Sequence, residues 1–268
     1  MKKLRWVLSI LIIAGLVWVG AFFAAANEDE DDSSIDPQAM TVLMKMADFL
    51  AKAKSFSVTV DGAYDAVQED GRKLEYGRIR KVLVDRPNRM RQDIEQRDGN
   101  KALFIFNGKE IYAFNAKNNV YGTAEKPGNI EGAIKFFTDD LGMRMPLSQL
   151  YSVDLPKYLK TKVRALDLVG KALIDGVSCD HLSARMDNAD VQLWIDQGQN
   201  PVPRRIIVTY RNAPDKPQFR AQLKDWNFAP SISDSLFNFT PPEGAERIAF
   251  AATMKTKASK GEQKGDQQ

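Results

Sequence analysis

Apolar residues repeat along this chain with two different periods. Asp36 followed by Pro37 reads as a helix start, with a capping carboxylate and a proline at the first helical position. Met40, Leu43, Ala47 and Leu50 then fall at helical spacing beside Met46, Phe49 and Ala53, so a helix with one broad apolar face is predicted, ending near Lys54 or Ser55. From Phe56 the period becomes two: Phe56, Val58 and Val60 alternate with Ser57, Thr59 and Asp61, as in a half-buried strand. Strand-like runs follow at 73–85, 89–97, 101–106, 109–115 and 119–124, and a second set at 163–169, 172–175, 177–186, 190–196, 203–211 and 217–228. Between the sets, Ile130, Ala133, Ile134, Phe137 and Leu141 are helically spaced with Gly142 placed to cap, and Leu147, Leu150 and Tyr151 suggest a further short helix. The expected fold is α+β, mainly β: a curved antiparallel sheet of about ten to eleven strands with two or three helices.

The hairpin around Asn107-Gly108 is expected to be a type I′ turn with positive φ at both residues. Phe104 and Phe106 alternate with Leu103 and Ile105, and Tyr112 and Phe114 alternate with Ile111 and Ala113, so both faces of this sheet are apolar and both need cover. Few helices under so wide a sheet leave room for a hydrophobic cavity. The candidate lining is Phe104, Phe106, Tyr112 and Phe114, with Phe137 from the intervening helix and Trp194 from the second strand set. On sequence alone the simpler reading, that the same residues make a dry core, is favoured over the cavity, and the opposite set of side chains could line a cavity instead. Phe237 and Phe239 are expected to enter the core as a pair, with Pro241-Pro242 ending the last extended segment.

The ends change the picture. Lys2, Lys3 and Arg5 precede an uncharged run from Trp6 to Ala26 that closes on Ala24, Ala25 and Ala26, the pattern of an export signal over residues 1–26. At ~1.5 Å per residue the run would also span a ~30 Å hydrocarbon core as an uncleaved anchor. Residues 27–36 then read as a disordered acidic linker, 37–250 as the folded domain, and 251–268 as a disordered tail. The 268-residue chain has a formal charge of +3, yet without residues 1–26 its acidic and basic side chains balance at 35 each. That balance gives no support to a nucleic-acid partner.

One cysteine and one histidine exclude an internal disulfide and the usual Cys/His zinc site, and no phosphate loop, dinucleotide fingerprint or nucleophile elbow is present. No cofactor or metal is expected. Cys179-Asp180-His181 would put a thiol and an imidazole on one strand face, but without an oxyanion element or nucleophile turn the pair reads as structural.

The stretches Asp175-Gly176-Val177-Ser178-Cys179-Asp180-His181-Leu182, Val191-Gln192-Leu193-Trp194-Ile195-Asp196 and Pro203-Arg204-Arg205-Ile206-Ile207-Val208-Thr209-Tyr210 resemble a family of predicted periplasmic proteins of undefined function. Arg86-Pro87-Asn88-Arg89-Met90-Arg91, Pro217-Gln218-Phe219, Asp225-Trp226-Asn227 and the ending from Leu236 to Ala245 extend the resemblance over residues 37–250. That family is similar in turn to the outer-membrane lipoprotein carriers, the lipoprotein localisation factor superfamily, and to envelope-stress sensor domains. The resemblance implies an open half-barrel covered by helices, and an exported, non-catalytic scaffold in the periplasm. Its implied partner is a lipid or the acyl chain of a lipoprotein, or alternatively an envelope protein that the same scaffold senses; a monomer is expected.

The mature protein is expected to begin at or near Asn27 and to be soluble without detergent. Intact-mass measurement on the envelope fraction checks this, and a mass that retains residues 1–26 would contradict it.

Overall fold

A computed structural model describes residues 34–143 and 145–250. Helix α1 (Pro37–Lys52) is followed by a meander of six strands: β1 (Ser55–Val67), β2 (Lys73–Asp85), β3 (Arg89–Gln96), β4 (Lys101–Phe106), β5 (Glu110–Asn115) and β6 (Val120–Glu125). Next come α2 (Ile130–Lys135), which runs on into a π-helical turn over Phe136–Asp140, a 3₁₀ turn at Ser148–Tyr151, and α3 (Leu155–Lys162). A second meander follows: β7 (Val163–Ile174), β8 (Val177–Met186), β9 (Ala189–Asp196), β10 (Pro203–Tyr210) and β11 (Gln218–Asn227), and the chain closes on a two-residue strand, β12 (Glu246–Arg247). All twelve strands share one sheet in the order β12-β6-β5-β4-β3-β2-β1-β11-β10-β9-β8-β7. The seam is the antiparallel β1–β11 pair, and only β12, beside β6, runs parallel to its neighbour. The sheet does not close on itself; it is a curved half-barrel with helices on its concave face.

Local chemistry explains α1. The Asp36 carboxylate accepts from the Gln38 amide at 2.7 Å, Pro37 sits where no amide donor is needed, and Lys52 faces the negative end of the helix dipole. Leu43, Met46, Ala47 and Leu50 are completely buried, together with Ala39, against Phe56, Val58 and Val60 of β1 and the rest of one continuous core. Each large side chain among them contributes about 1.5–3 kcal/mol of burial. Arg86, just beyond β2, ties this helix down: its guanidinium donates to the carbonyls of Leu50 (2.8 Å) and Ala53 at the helix end and to that of Tyr151 (3.0 Å). The Leu50 carbonyl also accepts from the Ala53 amide at 3.3 Å, so there the guanidinium adds a second donor at the helix end.

The opposite face of β4–β6 is covered by the C-terminal segment. Phe239 lies against Tyr112 (5.5 Å between centroids), Phe114 (6.1 Å) and Tyr121 (5.5 Å). Phe237 is buried beneath the guanidinium of Arg89 at 4.8 Å, and Arg91 donates to the Leu236 carbonyl at 3.0 Å. The strap ends as β12, where the Ile248 amide reaches the Tyr121 carbonyl at 2.9 Å. Phe237 and Phe239 therefore do enter a packed layer, but on the outer face and away from the helix-covered core.

Several expectations need correction. Runs 163–169 and 172–175 form one strand, β7, with a bulge between Leu168 and Gly170 that the glycine's φ of 150° accommodates. Helix α3 lacked an expectation altogether. Residues 34–36, placed in the linker, instead bridge Leu166, whose amide donates to Ser34 and whose carbonyl accepts from Asp36. The expected export signal, the rest of the linker and the tail lie outside the described residues. Among the described residues no helix is long and apolar enough to cross a membrane.

The turn after β4 is shifted by one residue. Glu110 pairs with Asn107, so Gly108 and Lys109 are the central residues; only Gly108 has positive φ (86°), while the Asn107 side-chain oxygen accepts from the amides of Lys109 and Glu110. A Cβ at Gly108 would strike the Asn88 side chain. Gly108→Val is expected to destabilise the protein by about 2 kcal/mol or more, read as a lowered denaturation midpoint; an unchanged midpoint contradicts this account of the turn.

Candidate functional site

Strand register fixes which side chains share the concave face. Phe56, Val58 and Val60 of β1 point under the helices, and their partners Val84, Val82 and Arg80 on β2 point the same way. Following that parity along β2 adds Arg78, Tyr76 and Leu74; across β3 it adds Met90, Gln92, Ile94 and Gln96. On the other side of the seam Leu223, Ala221 and Phe219 of β11 join them, then Ile206 and Val208 of β10 and Leu193 and Val191 of β9.

The six aromatic candidates do not come together. Phe104, Phe106 and Phe137 meet on the concave face in the packed core: the first and last make an edge-to-face contact at 5.2 Å, and all three are nearly or wholly buried. Tyr112 and Phe114 lie on the outer face under Phe239, because β4 pairs Phe104 with Ala113 and Phe106 with Ile111, while Leu103 pairs with Phe114 and Ile105 with Tyr112. Antiparallel partners share a face, so even-numbered residues of β4 go with odd-numbered ones of β5. Trp194 also points outward, stacked on His181 at 4.2 Å with the Arg205 guanidinium over it at 5.7 Å.

The structure brings a different set together where the helical cover stops. Tyr64 and Tyr76, facing each other across β1 and β2, stack at 6.0 Å and are 40% and 51% exposed, with Leu74 beside them 43% exposed. The row continues through Phe219, Val208 and Val191. Two arginines interrupt this apolar surface toward the core. Arg80 is only 9% exposed, and among the described residues neither its Nε nor the fully enclosed hydroxyl of Tyr151, from the 3₁₀ turn, has a hydrogen-bond partner. Burial and then the charge of Arg80 lower the Arg78 pKa below its ordinary value. Burial raises the Tyr151 phenol, with Arg80 pulling the other way. Sequence reading missed these residues, although β2 carries the signal: Arg78 and Arg80 are in phase with Val82 and Val84.

Cys179 and His181 are engaged by neighbouring groups of the sheet. Cys179 is completely buried on the outer-facing side of β8, its thiol donating to the Val177 carbonyl, while His181 pairs with the Gln192 side chain at 3.1 Å. Burial, then Asp196, pushes the thiol up, the reverse of what a nucleophile needs. A depression of about 230 Å³ bounded by Ile174, Asp175, Val177, Arg204, Leu223, Lys224 and Asp225 contains none of the six candidates. No group of three or more His, Cys, Asp or Glu among the described residues is placed to hold a metal ion.

The architecture is thus that of an open antiparallel half-barrel with helical cover on its concave face. The chain belongs to the family described as predicted periplasmic protein (DUF2092), whose model matches residues 39–251. No curated protein matches its sequence. Among solved structures it is similar to the lipoprotein LppX of Mycobacterium tuberculosis (16% identity, 74% of this chain and 100% of that one, TM-score 0.48) and to LprF of Mycobacterium bovis (14%, 75% and 98%, 0.46). It is also similar to a LolA superfamily protein of Nitrosomonas europaea (14%, 75% and 97%, 0.37).

Thiol reactivity checks the reading of Cys179. In the native protein at mildly alkaline pH a thiol reagent is expected to react slowly, with full reaction only after denaturation, because burial and a raised pKa both remove thiolate. Rapid native-state labelling would contradict it.

Proposed function

We propose that this chain is a non-enzymatic periplasmic binding protein that takes an acyl chain, free or on a lipoprotein, along the uncovered end of its concave face. The observation that carries this reading is the exposed row of Leu74, Tyr76 and Tyr64, continuous through Phe219 with the buried core. Stacked tyrosines give a flat apolar platform at little entropic cost, and a methylene chain lying along them would be withdrawn from water on one side and meet Val208 and Val191 further in. Each buried methylene would contribute about 0.8 kcal/mol.

A second reading, a module that senses a protein partner, is favoured by edge strand β7. Beyond the bridge at Leu166 no strand pairs with its outer side among the described residues, and Val169 and Leu173 are 56% and 70% exposed. A strand added there would satisfy the ladder.

A fatty-acid probe added to delipidated mature protein is expected to bind saturably. Tyr76→Glu, at an exposed position, is expected to weaken that binding about tenfold or more without shifting the melting temperature. Absence of saturable binding by folded wild-type protein would overturn the acyl reading and leave the partner-sensing one.

A further inference from the structure

Two arginines on one apolar sheet face, two residues apart and so with Cα atoms about 7 Å apart along the strand, repel each other and lose hydration. Natural interiors tolerate such charges when an anion lies between them. Among the described residues no carboxylate forms an ion pair with Arg78 or Arg80, and Tyr64 and Tyr151 lie in the electrostatic surroundings of the two arginines. Among the described residues Arg80 keeps Nε unbonded within the nine-tenths-buried side chain, and the hydroxyl of Tyr151 is a second enclosed donor without an acceptor. Gln92 and Gln96, one strand away, continue the polar strip on the same face. An unmet donor set of this kind fits an oxyanion, which a planar guanidinium binds in fork geometry.

We infer that Arg78, Arg80 and the Tyr151 hydroxyl form a headgroup site for the carboxylate or phosphate of an anionic amphiphile whose chain lies along the tyrosine row. The inference rests on the acyl-binding reading above and names the class of ligand. Arg78 stands next to Tyr76 on the same strand face, so a headgroup held by the arginines would direct the chain outward along Tyr76 and Tyr64. Charge-assisted hydrogen bonds to an enclosed anion make the preference for an ionised headgroup about tenfold or more over a hydroxyl of equal chain length.

Equilibrium binding of dodecanoate, dodecyl phosphate, dodecanol and inorganic phosphate to delipidated protein tests this. The expected result is that both anionic amphiphiles bind about tenfold or more tighter than dodecanol. In Arg78→Met/Arg80→Met, which keeps the aliphatic stems, both anionic amphiphiles are expected to lose their advantage over dodecanol. Equal affinity of wild-type protein for dodecanoate and dodecanol would overturn the headgroup site and leave acyl binding standing. No binding of any twelve-carbon probe would overturn both. Inorganic phosphate binding as tightly as dodecyl phosphate would replace the lipid headgroup with a free anion. Should the double variant not fold, the wild-type preference and the single variant Arg78→Gln, at the less buried of the two positions, decide the matter by the same criteria.

Discussion

The packing of α1 into the concave face is the constraint on which the rest of the structure depends. A wide sheet curved into a half-barrel presents an apolar hollow to water, and α1 fills it with five completely buried side chains. The helix is anchored at both ends, by its Asp36 cap and by the Arg86 guanidinium on its last carbonyls, which also holds the 3₁₀ turn through Tyr151. A sixteen-residue helix is about 24 Å long at 1.5 Å per residue, and the other helices have six and eight residues. Helical cover of that extent leaves one end of the hollow bare. The uncovered tyrosine row follows from the same geometry that makes the core.

The outer face obeys a second constraint. Residues on both sides of β4 and β5 are apolar, and one set of helices cannot cover both. The segment from Asp234 to Arg247 supplies the missing layer, pinned by Arg89 and Arg91 and finished by the short parallel strand against β6. Tyr112 and Phe114 are accordingly spent on outer-face packing, and Phe104, Phe106 and Phe137 on the core. The exposed apolar surface of the concave face is left to residues at the far ends of β1 and β2.

Much of this was legible in the sequence. The Asp36-Pro37 cap, the helical stripe of α1, the alternation of the long strands and the need to cover the hairpin twice all rest on local chemistry that tertiary context reinforces. The failures are equally physical. Eight residues at α3 are too few for a periodic pattern to show, the bulge at Gly170 hid the continuity of β7, and the turn at Gly108 moved by one residue because the Asn107 side chain caps it. Assigning Tyr112 and Phe114 to the face of Phe104 neglected the pairing parity of antiparallel strands, which holds for either placement of the turn. The arginines of β2 were overlooked because charged residues in a strand read as solvent-facing, whereas their phase with Val82 and Val84 turns them inward.

The account turns on where an acyl chain sits. Nuclear magnetic resonance of isotope-labelled mature protein, with a spin-labelled fatty acid as ligand, measures this directly through paramagnetic broadening of nearby amides. Broadening centred on Tyr64, Tyr76 and Phe219, fading toward Trp194 and His181 on the outer face, is the predicted result. Broadening centred on Trp194 and His181, or on the layer beneath Phe239, with Tyr64 and Tyr76 unaffected, would contradict it.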